Sequence, residues 1–365
     1  MVVVGAGLIG SAVAWELASR GAHVTVFDAR EPGLGATQAS AGMLAPYTEV
    51  RASGPFESLC IEGLRVYPAF VERLRRDTDA AFEFSRCGSL EIALDAPGLA
   101  HLQQEYARVQ AWPEAGAEWL DGLALAQRQP GLSSAAQGGL LLAAQGRIAP
   151  ADFTAAMITA ARRAGATVVA GAPVSRIARN GGGYDVHAGG SAIHADVVVM
   201  AAGSWLGRID AGERAAPGVR PIRGQVLLLR PRVPVAARIL WGPRCYLVPR
   251  ADGCILVGAT VEDVGFDEST TVSGLSGLMQ AAIELVPALA DAALVEVRAG
   301  LRPVTPDELP VLGARASEPG LVYAAGHYRN GALLAPVTAR ILADSILEGR
   351  NHPVLDALGP DRPGL

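Results

Sequence analysis

The first 27 residues contain the feature that most restricts what this chain can fold into. The β-branched run Val2–Val4 predicts a strand, the glycine pattern at 5–10 (GAGLIG) predicts a turn, Leu8–Ser19 predicts a helix, and residues 23–27 predict a second strand. In such a turn the first glycine permits the tight bend, the second lets the backbone approach a pyrophosphate, and the third lets helix and strand pack closely. The chain therefore opens with a βαβ unit typical of dinucleotide binding.

The residues that follow help to identify the dinucleotide. Free N–H groups at a helix N-terminus bind phosphate without a cationic side chain. Asp28, at the end of the second predicted strand, is placed to accept hydrogen bonds from ribose hydroxyls. Small residues and hydroxyls fill positions 36–44, where the backbone is able to lie flat against an isoalloxazine ring. This favours FAD over NAD, and the alternative for the loop is a flexible linker.

Charge and composition exclude several classes of protein. The chain has no Lys, so its 31 basic residues are all Arg, against 36 acidic residues and a net charge of -5. The absence of Lys excludes a pyridoxal Schiff base and a Walker lysine. We expect no nucleic-acid partner, because no basic block is present. No apolar run reaches about 18 residues and the N-terminus lacks a cationic start, so we expect no membrane span, no signal peptide and a cytoplasmic location.

The four cysteines do not suggest a metal site or a disulfide framework. Their spacing lacks the close pairs of a zinc site, and we expect buried thiols at Cys60, Cys87, Cys245 and Cys254.

Predicted elements alternate in type along the chain. Helices are expected at 56–76, 99–110 and 153–163, the last capped by Asp152 and ended by Gly165, and a strand at 89–94. Strands at 167–169, 174–178, 184–187 and 196–200 suggest a return to the first sheet. Strand-like segments between 225 and 300 suggest a separate antiparallel sheet. A strand at 321–325 precedes a helix at 334–347, with Pro336 expected in its first turn.

We therefore predict an α/β fold in which a Rossmann-like FAD-binding domain is interleaved with an antiparallel-sheet α+β substrate domain. The FAD-binding domain comprises residues 1–85, 146–220 and 303–365, and the substrate-binding domain comprises residues 86–145 and 221–302.

Three stretches carry a resemblance to a known family. They are AGMLAPYTE at 41–49, CYLVPR at 245–250 with VGAT at 257–260, and GHYRNGALLAP at 326–336. Together with the opening turn they resemble the D-amino-acid oxidase family of flavoproteins, and within it the glycine oxidases linked to thiamine biosynthesis. The resemblance spans nearly the whole chain.

The resemblance and the opening motif together imply a set of FAD contacts. The expected contacts are Gly5, Gly7, Leu8, Ile9, Gly10, Asp28, Ala29, Ala36, Thr37, Ala41, Gly42, Met43, Val174, Gly203, His327, Tyr328, Arg329, Asn330, Gly331, Ala332 and Leu333. Related sarcosine oxidases attach their flavin through a cysteine shortly before the stretch that corresponds to 303–305, whereas this chain has AGLR at 299–302. The FAD is therefore expected to be non-covalent.

The substrate site is expected to be a carboxylate anchor. A guanidinium holds a carboxylate in a fixed, bidentate geometry, and the family pattern GLRP at 300–303 places Arg302 over the flavin. By the same resemblance Tyr246 adds a hydroxyl to the substrate carboxylate, and Arg329 lines the site with its backbone carbonyl near the amine. His327 is more typical of a structural hydrogen bond than of a base. Arg244 stands where we associate a His with glycine oxidases.

The implied reaction is the oxidation by molecular oxygen of glycine, sarcosine or small D-amino acids, with release of a 2-oxo acid and hydrogen peroxide. Two alternatives stay open at this point. One is a dehydrogenase that passes electrons to a quinone or carrier, and the other is a non-catalytic flavoprotein subunit. The family resemblance also suggests a homotetramer.

Overall fold

The computed structural model describes residues 1–50, 52–212 and 217–365, which form 20 strands and nine α-helices. The strands are β1 (Val2–Val4), β2 (Thr25–Phe27), β3 (Met43–Leu44), β4 (Phe84–Ser85), β5 (Ser89–Ala93), β6 (Ala117–Asp121), β7 (Gly138–Leu142), β8 (Gly146–Ile148), β9 (Thr167–Val169), β10 (Val174–Asn180), β11 (Gly183–Ala188), β12 (Ser191–Ala195), β13 (Val198–Met200), β14 (Arg220–Arg230), β15 (Ile239–Trp241), β16 (Tyr246–Pro249), β17 (Ile255–Gly258), β18 (Ala293–Val304), β19 (Val311–Arg315) and β20 (Glu318–Ala325). The helices are α1 (Leu8–Ser19), α2 (Pro46–Glu49), α3 (Pro55–Thr78), α4 (Ala96–Val109), α5 (Gly122–Arg128), α6 (Pro150–Arg163), α7 (Val272–Leu285), α8 (Gly331–Glu348) and α9 (Val354–Leu358).

A six-stranded sheet in the order β19-β20-β13-β1-β2-β9 contains the opening motif. Its pairs are parallel except for the antiparallel pair β19–β20. β1 lies between β2 and β13, and β9 forms one edge, so the predicted return of the chain to its first sheet is confirmed for the strands at 167–169 and 196–200. It was wrong for the strands at 174–178 and 184–187, because β10 and β11 pair with β12 in a separate three-stranded antiparallel sheet. The six strands fall within residues 1–85, 146–220 and 303–365, the segments that we propose as an FAD-binding domain.

An eight-stranded sheet in the order β18-β14-β17-β16-β15-β5-β7-β6 forms the second layer of the molecule. Its pairs are antiparallel except for β5 and β15, which pair in parallel. The long strands β14 and β18 pair from Arg220 with Val304 to Arg230 with Ala293. The predicted α/β fold with a parallel sheet and a largely antiparallel second sheet is confirmed.

The largest apolar core lies between the first sheet and helices α1, α3, α6 and α8. The aromatic rings of Trp15, Tyr67, Phe70 and Phe153 pack against one another there. Tyr67 also donates a hydrogen bond to the carbonyl of Ala332 in α8. That carbonyl would otherwise accept from residue 336, which is a proline without an N–H group.

Two sequence predictions about helix ends were wrong. Pro336 lies inside α8, because the helix begins at Gly331 rather than near residue 334. Asp152 lies within the first turn of α6, whose N-cap is Ala149. Proline is favoured at the first helical position, so Pro150 starts the helix, and the Asp152 charge stabilises its N-terminal end instead.

Three of the four cysteines are buried and all four are free thiols, with Cys87 partly exposed. None of the helices in the described ranges is both long and apolar enough to span a membrane.

Candidate functional site

A cavity of about 500 Å³ lies where the two large sheets meet. Eighteen of the twenty-one expected FAD contacts line it, as do the expected substrate residues Tyr246 and Arg302, with Arg329 belonging to both sets. Gly10, Asn330 and Leu333 do not line it. A concave cavity of this size falls within the range typical of small-molecule and cofactor sites, about 300–1,000 Å³.

The glycines of the opening turn allow close backbone packing beside this cavity. Gly5 has a φ of 104°, which a residue with a side chain rarely adopts. A Cβ at Gly10 would collide with the carbonyl group of Gly5, so the helix could not approach the strand as it does. The N-terminus of α1 consequently opens onto the cavity through Gly7, Leu8 and Ile9.

Asp28 is held in position by two backbone N–H groups. Its Oδ2 accepts from Ala6 N at 2.6 Å, and its Oδ1 accepts from Arg30 N at 2.8 Å. Each carboxylate oxygen still has capacity to accept a ribose hydroxyl. Thr37 approaches α1 from the other side, where its Oγ1 accepts from Leu8 N at 3.1 Å. These donors and acceptors fit the pyrophosphate and ribose of a dinucleotide.

The small-residue loop is part of the cavity wall. It contains a 3₁₀ helix at Ala36–Ala39 and the strand β3, which pairs with β8. Gly300 in β18 allows this helix to come close, since a Cβ there would lie 2.7 Å from the Cβ of Ala39. The packing contradicts the flexible-linker interpretation.

Arg302 is fixed by backbone carbonyls rather than by a carboxylate. Its Nη1 donates to Thr260 O at 3.0 Å and to Arg223 O at 3.3 Å. Its guanidinium lies directly over Gly224, where a Cβ would overlap it. In the ranges 1–50, 52–212 and 217–365 no ion pair involves Arg302, so its charge is available to a ligand carboxylate.

Tyr246 lies on β16, next to Arg302 of β18. Its ring lies flat against Gly258, where a Cβ would overlap the phenol. Burial raises the pKa of the Tyr246 hydroxyl, and the negative charge of Glu49 adds to this rise. The nearby charges of Arg302 and Arg329 oppose the rise in pKa without cancelling it. The hydroxyl therefore stays protonated near neutral pH and is able to donate a hydrogen bond.

The turn after β20 closes the cavity next to Arg302. Tyr328 has a φ of 48°, and its N–H donates to Pro303 O at 2.9 Å. Arg329 is exposed at the cavity mouth, where its Nη2 donates to the Tyr328 hydroxyl at 3.2 Å. The N-terminal residues Gly331 and Ala332 of α8 line the cavity. The positive end of the α8 dipole therefore faces any ligand bound there.

His327 is buried and has a structural hydrogen bond. Its Nε2 lies 3.1 Å from the Thr338 hydroxyl in α8. Burial lowers the pKa of His327 to about 3, so the ring is neutral at physiological pH. The expectation that His327 makes a structural hydrogen bond agrees with this arrangement.

Several lining residues were missed from the sequence. They include Glu49, Arg30, Trp205 and Arg208. Glu49 is the last residue of the AGMLAPYTE stretch, so the sequence did contain a signal for it. The others come together only in the folded chain.

Arg244 does not line the cavity, because it forms an exposed ion pair with Glu284. No cluster of metal-binding side chains occurs among the described residues.

Comparisons with known proteins agree with this architecture. The family model described as FAD dependent oxidoreductase matches residues 1–345. The bifunctional protein ThiO/ThiG of Nostoc sp. strain PCC 7120 is 38% identical over 364 residues, which cover 97% of this chain and 54% of that protein. The glycine oxidase of Geobacillus kaustophilus is 32% identical, with 95% of this chain and 92% of that protein covered. The solved structure of glycine oxidase from Geobacillus kaustophilus matches with a TM-score of 0.94 at 32% identity, covering 99% of this chain and 98% of that one. The chain thus spans about half the length of the bifunctional relative.

Proposed function

The chain belongs to the family of FAD-dependent oxidoreductases, and on that premise we propose that it is an amino-acid oxidase acting on glycine and small amines. In the proposed reaction, glycine, water and oxygen give glyoxylate, ammonia and hydrogen peroxide. Sarcosine and D-alanine are proposed as further substrates. The observation that carries the proposal is the Arg302 guanidinium, which is held by two carbonyls in the cavity and pairs with no carboxylate in the described part of the chain.

The residues around the cavity fit FAD. The N-terminus of α1 and Thr37 would hold the pyrophosphate, and Asp28 would hold the ribose. The loop at 36–43 and the turn at 327–332 would hold the flavin end. Bound FAD would supply the acceptor for the hydrogen and electrons that leave the substrate α-carbon. We propose that the FAD is non-covalent, since AGLR at 299–302 contains no cysteine.

The protein side chains orient the substrate rather than react with it. Arg302 would bind the carboxylate, and the protonated Tyr246 hydroxyl would donate to the same group. Fixing the carboxylate restricts rotation of the α C–H bond, which is how binding lowers the barrier of the following step. His327 is neutral and buried, and its Nε2 is hydrogen-bonded to the Thr338 hydroxyl, so it does not act as the base. We propose instead that the amine enters neutral, near the backbone carbonyl of Arg329.

Peroxide release in parallel assays with millimolar glycine, sarcosine and D-alanine tests the activity. Arg302→Ala should weaken carboxylate binding by about 2–5 kcal/mol, seen as a higher KM. Arg244→Ala is a matched control, because Arg244 is an exposed arginine whose ion pair with Glu284 lies outside the cavity. An unchanged KM in Arg302→Ala removes the anchor assignment. Absence of peroxide with all three substrates removes the oxidase proposal.

The electron acceptor is tested separately. Stopped-flow mixing of the reduced protein with air-saturated buffer should show reoxidation within seconds. Reduced flavin that persists for minutes would favour a dehydrogenase that uses a quinone or carrier. A chain that binds FAD but is not reduced by any of the amines would favour a non-catalytic subunit.

We further propose that the protein serves thiamine biosynthesis in the cytoplasm, as a homo-oligomer. The similarity to the bifunctional ThiO/ThiG protein supports the pathway. The exposed Leu294 and Val295 on the edge strand β18 support self-association. Light scattering coupled to size exclusion would measure the oligomeric state, and a homotetramer is expected by the family resemblance.

A further inference from the structure

A segment of the second sheet reaches back to the dinucleotide end of the cavity. We call residues 259–271, which join β17 to α7, the strap. At its start the carbonyl of Thr260 accepts from Arg302. Further along, Glu262 and Asp267 both form ion pairs with Arg223, whose side chain is buried. The strap is therefore attached to β14 at Glu262 and again at Asp267, which lies between Phe266 and Glu268.

The far part of the strap contacts three side chains that line the cavity next to Asp28. Glu268 forms a bidentate pair with Arg30, at 3.0 Å from Nη1 to Oε1 and 2.6 Å from Nη2 to Oε2. Phe266 lies 6.0 Å from the ring of Trp205 and 3.7 Å from the guanidinium of Arg208. Neither Phe266 nor Glu268 lines the cavity itself.

The lining side chains also contact one another. The Arg30 guanidinium lies 4.6 Å from the centroid of the Trp205 ring. Arg30, Trp205, Phe266 and Arg208 thus form a continuous row, which we call the stack: each guanidinium lies over one ring, and the two rings meet at a tilt of 48°. Glu268 closes the row at the Arg30 end. Stacks of guanidinium and aromatic groups are stabilised by the ring quadrupole, more so when partly buried.

We propose that Phe266 and Glu268 are positioning residues that give the site its selectivity for the adenosine half of FAD. Asp28, whose carboxylate is placed for the ribose, follows β2 directly, and Arg30 comes two residues later. The stack therefore forms the wall at the adenosine end, and the strap supports this wall from behind.

The role of Glu268 follows from the charges around Arg30. Arg30 lies close enough to Asp28 for their charges to interact. The guanidinium forms its bidentate pair with Glu268, and among the described residues it forms no ion pair with Asp28. Without Glu268 the Arg30 side chain is free to pair with Asp28 and to occupy the oxygens intended for ribose hydroxyls. Removal of Phe266 instead leaves Trp205 and Arg208 without the ring they pack against.

The test compares FAD with FMN, which lacks the adenosine half. The variants are Glu268→Gln and Phe266→Ala. Asp263→Asn is the control, because Asp263 lies in the same strap but pairs with the exposed Arg220 at 2.6 Å. Release of FAD from the holoprotein after dilution is followed by the rise in flavin fluorescence. Dissociation constants for FAD and FMN are then measured on deflavinated protein by fluorescence quenching.

Each strap variant should raise the Kd for FAD about tenfold and speed its release, through loss of the half-buried Phe266 ring or of the ion pair that holds Arg30. The Kd for FMN should stay within twofold of wild type, and Asp263→Asn should change neither. An FAD affinity that stays within twofold of wild type overturns the proposal. Equal weakening of FAD and FMN also overturns it, since that result indicates a general structural role. If a variant unfolds when its flavin is removed, the rate of FAD release from its holoprotein is compared instead. A release rate within twofold of wild type then overturns the proposal.

Discussion

Replacement of Gly224 by alanine should displace the substrate anchor while leaving the fold intact. A Cβ at this position would overlap Cζ, Nη1 and Nη2 of Arg302, whereas ordinary contacts of a Cβ lie at 3.4–4 Å. The overlapped atoms are the far end of a flexible side chain, so the guanidinium moves and the backbone does not. The displacement needed to restore normal contact is about 1 Å or more, and a misplacement of this size typically costs about 100-fold in rate.

The expected result for Gly224→Ala is thus a fall in kcat/KM for glycine of about 100-fold, equivalent to about 2.7 kcal/mol of transition-state binding. The loss should not exceed that of Arg302→Ala, which removes the whole guanidinium. Peroxide-coupled initial rates over a range of glycine concentrations measure it. Flavin content and thermal midpoint should match the wild type.

Gly277→Ala provides the control for this prediction. Gly277 lies in α7, where no heavy atom of the described residues outside the adjoining helix backbone lies within 4 Å of an added Cβ. The alanine there should stabilise the helix by about 0.5–1 kcal/mol and leave kcat/KM unchanged. If Gly224→Ala carries its flavin and retains kcat/KM within twofold of wild type, Gly224 does not position Arg302 as argued.

Three further changes test other parts of the site. Gly10→Ala places a Cβ against the backbone carbonyl of Gly5, which cannot move aside as a flexible side chain would, so the purified protein should lack bound flavin; full flavin content would contradict this. Tyr246→Phe should raise the KM for glycine about fivefold through loss of one hydrogen bond, and an unchanged KM would remove its substrate role. The pKa of buried His327 lies at about 3 in the folded chain, so as pH falls below about 6.5 the unfolded chain takes up the proton first and wild type loses stability. Urea midpoints from pH 7 to 5 should show this loss, up to about 1.4 kcal/mol per unit, reduced in His327→Asn; parallel curves would refute it.

Local signals predicted the opening of the chain but not every later element. β1 and α1 begin and end where the sequence predicts, because β-branched residues, the glycine turn and a helix-forming run all agree there. Helix α7 was missed, since Gly274 and Gly277 lower its intrinsic helix propensity. It is capped by the Thr271 side chain and buries Leu278 and Leu285 against the second sheet, which the local pattern does not reveal.

The site was predictable where chemistry follows a local pattern. Asp28 follows a strand in a known unit, and Arg302 belongs to a stretch that resembles a family. The stack brings together Arg30, Trp205 and Phe266, which are far apart in the sequence. No periodicity links them, and only the strap's path across the molecule makes them neighbours.

The register of β14 and β18 separates the binding of substrate from the binding of flavin. Gly224 and Gly300 are paired across these strands, so the same face of the sheet is bare at both positions. Arg302, two residues beyond Gly300, lies across Gly224, while the Ala36–Ala39 helix packs on Gly300. Gly300→Ala should therefore differ from Gly224→Ala. Its Cβ would lie 2.7 Å from the Cβ of Ala39, which is a short side chain that moves only with its backbone.

The Gly300→Ala variant should consequently lose flavin affinity, with an FAD Kd raised about tenfold or more through displacement of the cavity wall. The fraction that retains FAD should show a KM for glycine close to wild type, because nothing overlaps Arg302. Fluorescence titration of the deflavinated protein and initial rates at saturating FAD measure the two effects. Equal changes of KM and flavin affinity in both glycine variants would mean that the paired glycines support one common structure. Opposite patterns would mean that each glycine serves a different ligand.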